Sequence, residues 1–144
     1  MPDTVYVLNG PNLNLLGTRE PEVYGRETLD DIRAALEEKA GPLGFAIDLR
    51  QTNHEGQLID WIHEAQHKGA RAVILNPGGY THTSVALHDA IKSVTVPVIE
   101  VHLSNVHARE PFRRHSYVAM AARGTVAGFG PASYLLALQA VAGL

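Results

Sequence analysis

The sequence predicts an α/β protein: an open, parallel, five-stranded sheet with helices on both faces. Three observations carry this expectation. Strand-like and helix-like segments alternate along the whole chain. Two of the strand-like runs, Ala72 to Asn76 and Val96 to His102, are continuously β-rich, as strands covered on both faces are. The connections are short, and short βα connections lead to parallel pairing through right-handed crossovers.

Val5 to Asn9 is a short apolar run ending in N-G-P, which reads as a strand followed by a turn. Residues 10–27 are so punctuated by Gly, Pro and Asn that no regular element is expected there. From Thr28 the pattern changes. Thr28 with Asp31 forms a capping-box signature, and Leu29, Ile32, Leu36, Ala40 and Leu43 recur at helical spacing. Phe45 to Thr52 alternates apolar with polar or small residues and predicts a half-buried strand at a sheet edge. A helix is expected over 55–68 with Gly69 as its stop, and another near 84–93 between the two buried strands. Thr125 to Gly130 reads as a fifth, short strand, and Pro131 suits the first position of the last helix. That helix carries Tyr134, Leu135, Leu136, Leu138 and Val141 and is apolar nearly all round, so it is expected to be deeply buried or to pack on another subunit. The polar second strand suits an edge, which favours the flavodoxin-like order 2-1-3-4-5.

Bulk properties limit the function classes. The 144 residues fit one domain, 1–144, with 45% hydrophobic and 19% charged residues. The formal charge of -3, with no basic run, gives no footprint for nucleic acid. The absence of cysteine removes disulfides, thiolate catalysis and cysteine-bound zinc. No signal-peptide pattern and no membrane-length apolar stretch is visible, so a cytoplasmic enzyme with no membrane partner is expected.

In sheets of this order a ligand binds beyond the carboxyl ends of the strands, where the order reverses. The first, third and fourth strands are neighbours there, and their ends carry Asn9 and Asn12, Asn76, and His102. Glu100 and His102 are two apart and share one face of the fourth strand. A carboxylate within an apolar strand needs a partner. Glu100 holding His102 in one tautomer supplies one; a backbone group or an arginine is the alternative. Arg19, Arg109 and Arg113 flank the same strand ends, and basic loops on an acidic chain point to an anionic ligand, a carboxylate or phosphate. The loop N-P-G-G-Y-T-H-T-S leads into a helix N-terminus and allows close backbone approach, a weak signal by itself. Lys39, Lys68 and Lys92, the only lysines, fall on predicted helices away from these ends, so a Schiff-base mechanism is not expected.

Longer motifs are more specific. The run Leu8 to Gly25, L-N-G-P-N-L-N-L-L-G-T-R-E-P-E-V-Y-G, resembles the signature of type II 3-dehydroquinate dehydratases. Asn76 to Ser84, and E-V-H-L-S-N from Glu100 to Asn105, resemble two further motifs of that family, and the resemblance spans the chain. It implies a hydro-lyase of the shikimate pathway that removes water from 3-dehydroquinate to give 3-dehydroshikimate, without a cofactor. By motif position it implies Tyr24 as base and His102 as the acid that protonates the leaving hydroxyl. Arg19 would stabilise the transition state, and Asn12 would hold a water at the enolate oxygen. Asn76, His82, Arg113 and the Leu103–Ser104 backbone would hold the substrate's carboxylate and hydroxyls. It further implies a trimer-based homododecamer in which Asp89 reaches a neighbour's site. A free tyrosine ionises only near about 10, so a tyrosine base needs a cation beside it, which Arg19 or Arg109 could supply.

Competing readings are weaker. His63 to His67 matches H-E-x-x-H, but at helical spacing Leu58, Ile59, Trp61, Ile62 and Ala65 form the buried face and both histidines point to solvent. A receiver domain would need clustered acids after the first strand, a flavodoxin a Ser/Thr-rich phosphate loop, and a Rossmann domain G-x-G-x-x-G; none is present. A non-catalytic binder of a small anionic metabolite is the remaining alternative. Residues 18–26, polar and flanked by Pro and Gly, are expected to act as a mobile lid.

Overall fold

The computed structural model describes residues 2–144. Five parallel strands, β1 (Asp3–Asn9), β2 (Phe45–Gln51), β3 (Ala72–Asn76), β4 (Val98–His102) and β5 (Gly124–Ala127), lie in the order β2-β1-β3-β4-β5. This is the predicted order, with β2 at one edge and β5 at the other. The register sets Asn9 beside both Gln51 and Asn76, so the polar ends of three strands are level.

Alternation along β1 divides the core. Val5 and Val7 face one side, with Ile74, Ile99 and Val101; Tyr6 and Leu8 face the other, with Val73, Leu75 and Val98. The helices α2 (Leu29–Leu43) and α5 (Ala132–Ala142) cover the first side through Ile32, Leu36, Tyr134 and Leu138. The second side is covered by α3 (Glu55–His67) and α4 (Val85–Lys92) through Leu58, Ile62, Leu87 and Ile91. Each fully buried Leu or Ile among these contributes about 1.5–3 kcal/mol relative to exposure.

The capping box at Thr28 forms: its side chain accepts from the Asp31 N–H at 3.2 Å, and the Asp31 carboxylate accepts from the Thr28 N–H at 2.9 Å. Ser84 caps α4 by accepting from the Leu87 N–H at 2.9 Å.

Several boundaries differ from expectation. Residues 10–27 are not wholly irregular; a 3-10 turn at Leu13–Leu15 and one helical turn, α1 (Pro21–Tyr24), occur there. A single turn has no periodicity to read, and the anchors are tertiary: Leu13 and Leu16 are buried. The fourth strand starts at Val98, because Pro97 lacks an N–H and joins the sheet only through its carbonyl, which accepts from Val73 at 2.8 Å. The fifth strand ends at Ala127, before a turn through Gly128. Pro131 is the residue before the last helix, not its first. On α5, Tyr134, Ala137, Leu138 and Val141 are buried while Leu136 is 47% exposed, so one flank is core and the other lies open.

His63 and His67 are both exposed on α3, as their helical positions predict. Among the described residues no helix is long and apolar enough to cross a membrane, and no group of three His, Cys, Asp or Glu side chains is placed to hold a metal ion.

Candidate active site

The loops after β1, β3 and β4 meet above the strand ends and enclose a cleft of about 180 Å³. Sites for drug-sized ligands run from about 300 to 1,000 Å³, so this one suits a small metabolite. It lies where the strand order reverses, the place the sequence reading favoured.

Two backbone crossings hold the loops together. A Cβ on Gly10 would come within 2.5 Å of the Pro77 carbonyl oxygen, so only glycine fits this approach of the first loop to the third. Gly78, at φ +59°, returns the contact: a Cβ there would lie 3.0 Å from the Pro11 carbonyl oxygen. Asn12 and Asn76 are thereby brought to one floor. Asn12 adopts a left-handed conformation, its N–H donating to the Asn53 side-chain oxygen at 3.0 Å, and its side chain is exposed to the cleft.

Beneath the floor Tyr134 links two strands. Its hydroxyl donates to Asn9 Oδ1 at 2.6 Å and accepts from Asn76 Nδ2 at 2.9 Å. Complete burial pushes the Tyr134 hydroxyl well above the ordinary tyrosine range, so it stays a neutral donor. Asn76 Oδ1 accepts from the Gly78 N–H at 3.2 Å, which leaves Asn76 one amide hydrogen for a ligand.

On the fourth strand Glu100 and His102 are buried neighbours, His102 Nε2 lying 2.5 Å from Glu100 Oε2. The pairing expected from their spacing is present. With Nε2 committed to Glu100, Nδ1 is the nitrogen left for a ligand. Glu100 itself lies behind His102 and does not line the cleft.

Three arginines converge here. Arg109 Nη1 donates to the Tyr24 hydroxyl at 2.9 Å and to Ser104 Oγ at 3.2 Å. The Arg19 guanidinium carbon lies 4.9 Å from the centre of the Tyr24 ring. Arg113 pairs with the Glu110 carboxylate, and this holds Glu110 below the usual carboxylate range. All three line the cleft, as do Leu103 and Ser104. His82 lines it as well. Burial pulls the His82 imidazole below its ordinary range, against the opposing effect of its bond to His115. A neutral His82 donates from Nδ1 to the His115 carbonyl at 2.8 Å and so presents Nε2 as an acceptor.

Of the predicted site residues, Glu100 and Asp89 do not line the cleft, and only Glu100 is bonded to a residue that does. Asp89 is exposed on α4, outside this cleft. Pro11, Leu13 and Val106 line the cleft although the sequence reading did not select them. Tyr134 and Ser116, which hold site residues from behind, were also missed; a hydroxyl in an apolar helix was the one available signal, for Tyr134. No lysine lines the cleft.

A sequence model of class II dehydroquinases matches residues 3–142. A 3-dehydroquinate dehydratase of Phenylobacterium zucineum is 62% identical over 144 residues, covering 100% of this chain and 99% of the relative. One from Caulobacter vibrioides is 59% identical, covering 100% of this chain and 98% of that relative. The crystal structure of a type II dehydroquinase from Propionibacterium acnes superposes with a TM-score of 0.95 at 44% identity, covering 100% of this chain and 99% of the other. The chain therefore belongs to the class II dehydroquinase family.

Proposed function

We propose that this chain removes water from 3-dehydroquinate to give 3-dehydroshikimate, with Tyr24 as base and His102 as acid. One observation carries the reading. A phenol backed by a guanidinium and an imidazole backed by a carboxylate line the same small cleft.

The ketone acidifies the neighbouring C–H, and the Tyr24 oxygen takes that proton. Arg109 donates to that oxygen at 2.9 Å, and the Arg19 guanidinium lies over the ring, 4.9 Å from its centre. Charge then develops on the enolate oxygen, where preorganised donors matter most. Asn12 holds a water there, and Arg19 adds positive charge. Collapse of the enolate expels the hydroxyl, which leaves as water with the Nδ1 proton of an imidazolium His102, while Nε2 keeps its proton on Glu100. Glu100 keeps His102 oriented. Asn76, His82, Arg113 and the Leu103–Ser104 backbone hold the carboxylate and hydroxyls. No step requires a cofactor. Asp89 serves the site of a neighbouring subunit in a homo-oligomer, a trimer-based dodecamer.

The product is a conjugated enone and the substrate is not. Purified chain mixed with 3-dehydroquinate should produce the enone absorbance at a rate proportional to enzyme. Saturable binding without any absorbance change would instead identify a non-catalytic binder.

A further inference from the structure

We infer that Ser116 is a positioning residue: its hydroxyl holds the Glu100 carboxylate, and through it holds His102 in a single tautomer. The inference rests on the reading of His102 as the acid of the reaction.

Glu100 sits mid-strand in β4, paired with Leu75 and Thr125 across the sheet, and is 1% exposed. Among the described residues His102 is its only ion-pair partner, so no lysine or arginine fixes its carboxylate. The remaining contacts come from Ser116. Its Oγ lies 3.0 Å from Glu100 Oε2 and 3.2 Å from Oε1. The same Oγ accepts from the Ala119 N–H at 2.9 Å. A hydroxyl has one proton. With its lone pair turned to Ala119, that proton is directed at Glu100, which as a carboxylate only accepts.

Two donors thus converge on Oε2, His102 Nε2–H and Ser116 Oγ–H. Rotation of the carboxylate away from His102 would leave the serine proton unpaired in a partly buried place. A carboxylate so fixed holds the Nε2 proton of His102 and keeps Nδ1 aimed at the ligand: the imidazolium form gives its Nδ1 proton to the leaving hydroxyl, and the neutral ring that remains is the Nε2–H tautomer. Removing the serine oxygen frees the carboxylate to rotate, and the ring loses its orientation.

The surrounding segment is built for this task. His115 presents its carbonyl to His82 at 2.8 Å, and the Tyr117 N–H donates to the Thr81 carbonyl at 3.0 Å. Consecutive residues 115 and 116 therefore orient the two cleft imidazoles, one directly and one through Glu100. Ser116 does not line the cleft, so its effect on a ligand is transmitted.

The test combines steady-state kinetics with ¹⁵N NMR of the imidazoles in the full chain. Ser116→Ala should lower kcat about tenfold or more with KM changed less than about twofold, the split expected when orientation in the transition state is lost. The ¹⁵N shifts of neutral His102 should change from a single Nε2–H form to a mixture of tautomers. Ser116→Thr retains the hydroxyl and should keep both properties. A folded Ser116→Ala variant with the original His102 signature overturns the inference, as does a kcat loss that Ser116→Thr shares in full. If the alanine variant does not fold, Ser116→Cys keeps the side chain's shape and exchanges the hydroxyl for a much weaker donor to Glu100; an unmoved His102 signature in that variant also overturns it. The imidazole spectrum needs no turnover. Absence of activity in the unaltered chain would refute the proposed reaction and leave this assignment to be decided by the spectrum.

Discussion

Arg109 donates to the Tyr24 hydroxyl at 2.9 Å although 85 positions separate the two residues. The loop after β4 thus reaches the loop after β1, and Arg19 approaches the same ring from its own loop. If the phenol is the base, Arg109 is its charge partner. Tyr24→Phe keeps the ring and removes the oxygen, and should lower kcat by about 10²–10⁴-fold with the fold intact. Arg109→Ala should lower it by about tenfold or more, and Arg109→Lys should recover only part, because an ammonium restores the charge without the planar fork. Near-normal turnover in Tyr24→Phe would remove Tyr24 from the chemistry.

The sheet order, its edge strand, the α2 cap and the Glu100–His102 pair were legible because each depends on local pattern or on strand periodicity. Paired residues two apart on a strand declare themselves in sequence. Arg109 on Tyr24 does not, because its geometry comes from two loops that fold independently of any period. The resemblance to a family identified Tyr24, and the basic loops at the strand ends identified Arg109, but the hydrogen bond between them is a tertiary fact. The Tyr134 bridge and the Ser116 contact were hidden for the same reason: each is a hydroxyl whose partner lies on another element.

Tyr134→Phe should be costly without touching the cleft. Asn9 Oδ1 loses its donor and Asn76 Nδ2 loses its acceptor, both in a buried setting. An unsatisfied buried polar group costs about 1–3 kcal/mol. Urea unfolding should report a loss in that range, and KM should rise as Asn76 loosens. An unchanged midpoint together with an unchanged KM would show that the bridge positions nothing.

A second network, where α3 packs against β1 and the edge strand β2, makes stability depend on acid. The bond from Arg50, and after it the bond from Tyr6, hold the Glu64 carboxyl at about 2, below its ordinary 4.5. A group depressed on folding stabilises above its unfolded value, and that contribution is lost as pH falls through the folded one. The window is therefore from about 4.5 down to about 2. Glu64→Gln should cost about 1 kcal/mol at neutral pH, since the group is only partly buried. The gap between variant and unaltered chain should close as the solution is acidified through the window. A gap independent of pH would show that the carboxylate's charge is not what stabilises.

The 18–26 segment carries Arg19 and Tyr24, and its Arg26 is exposed. Loops bearing catalytic groups commonly close over substrate to exclude water. Trypsin should cut at Arg26, and more slowly at Arg19, which is held against the Tyr24 ring. Both cuts should slow when a cyclic hydroxy acid shaped like the substrate is bound. Equal rates with and without it would mean that the loop is preformed and rigid.

Activity should depend on assembly if Asp89 completes a neighbour's site. Asp89 is exposed on α4 and does not line the cleft of its own chain. A solvated helix aspartate would look the same, since most aspartates are exposed. The surface elsewhere favours contact between copies. Phe112, Met120 and Phe129 are each more than 60% exposed, and β5 forms a sheet edge. Exposed apolar groups and unpaired strand edges are what subunit packing covers. Mixing decides between the two readings. Asp89→Ala and Tyr24→Phe should each be weak alone. Dissociated and reassembled together, some sites receive Tyr24 from one chain and Asp89 from another, and activity should exceed that of either parent. Hybrid assemblies that form but stay at the parental level would return Asp89 to the solvated surface.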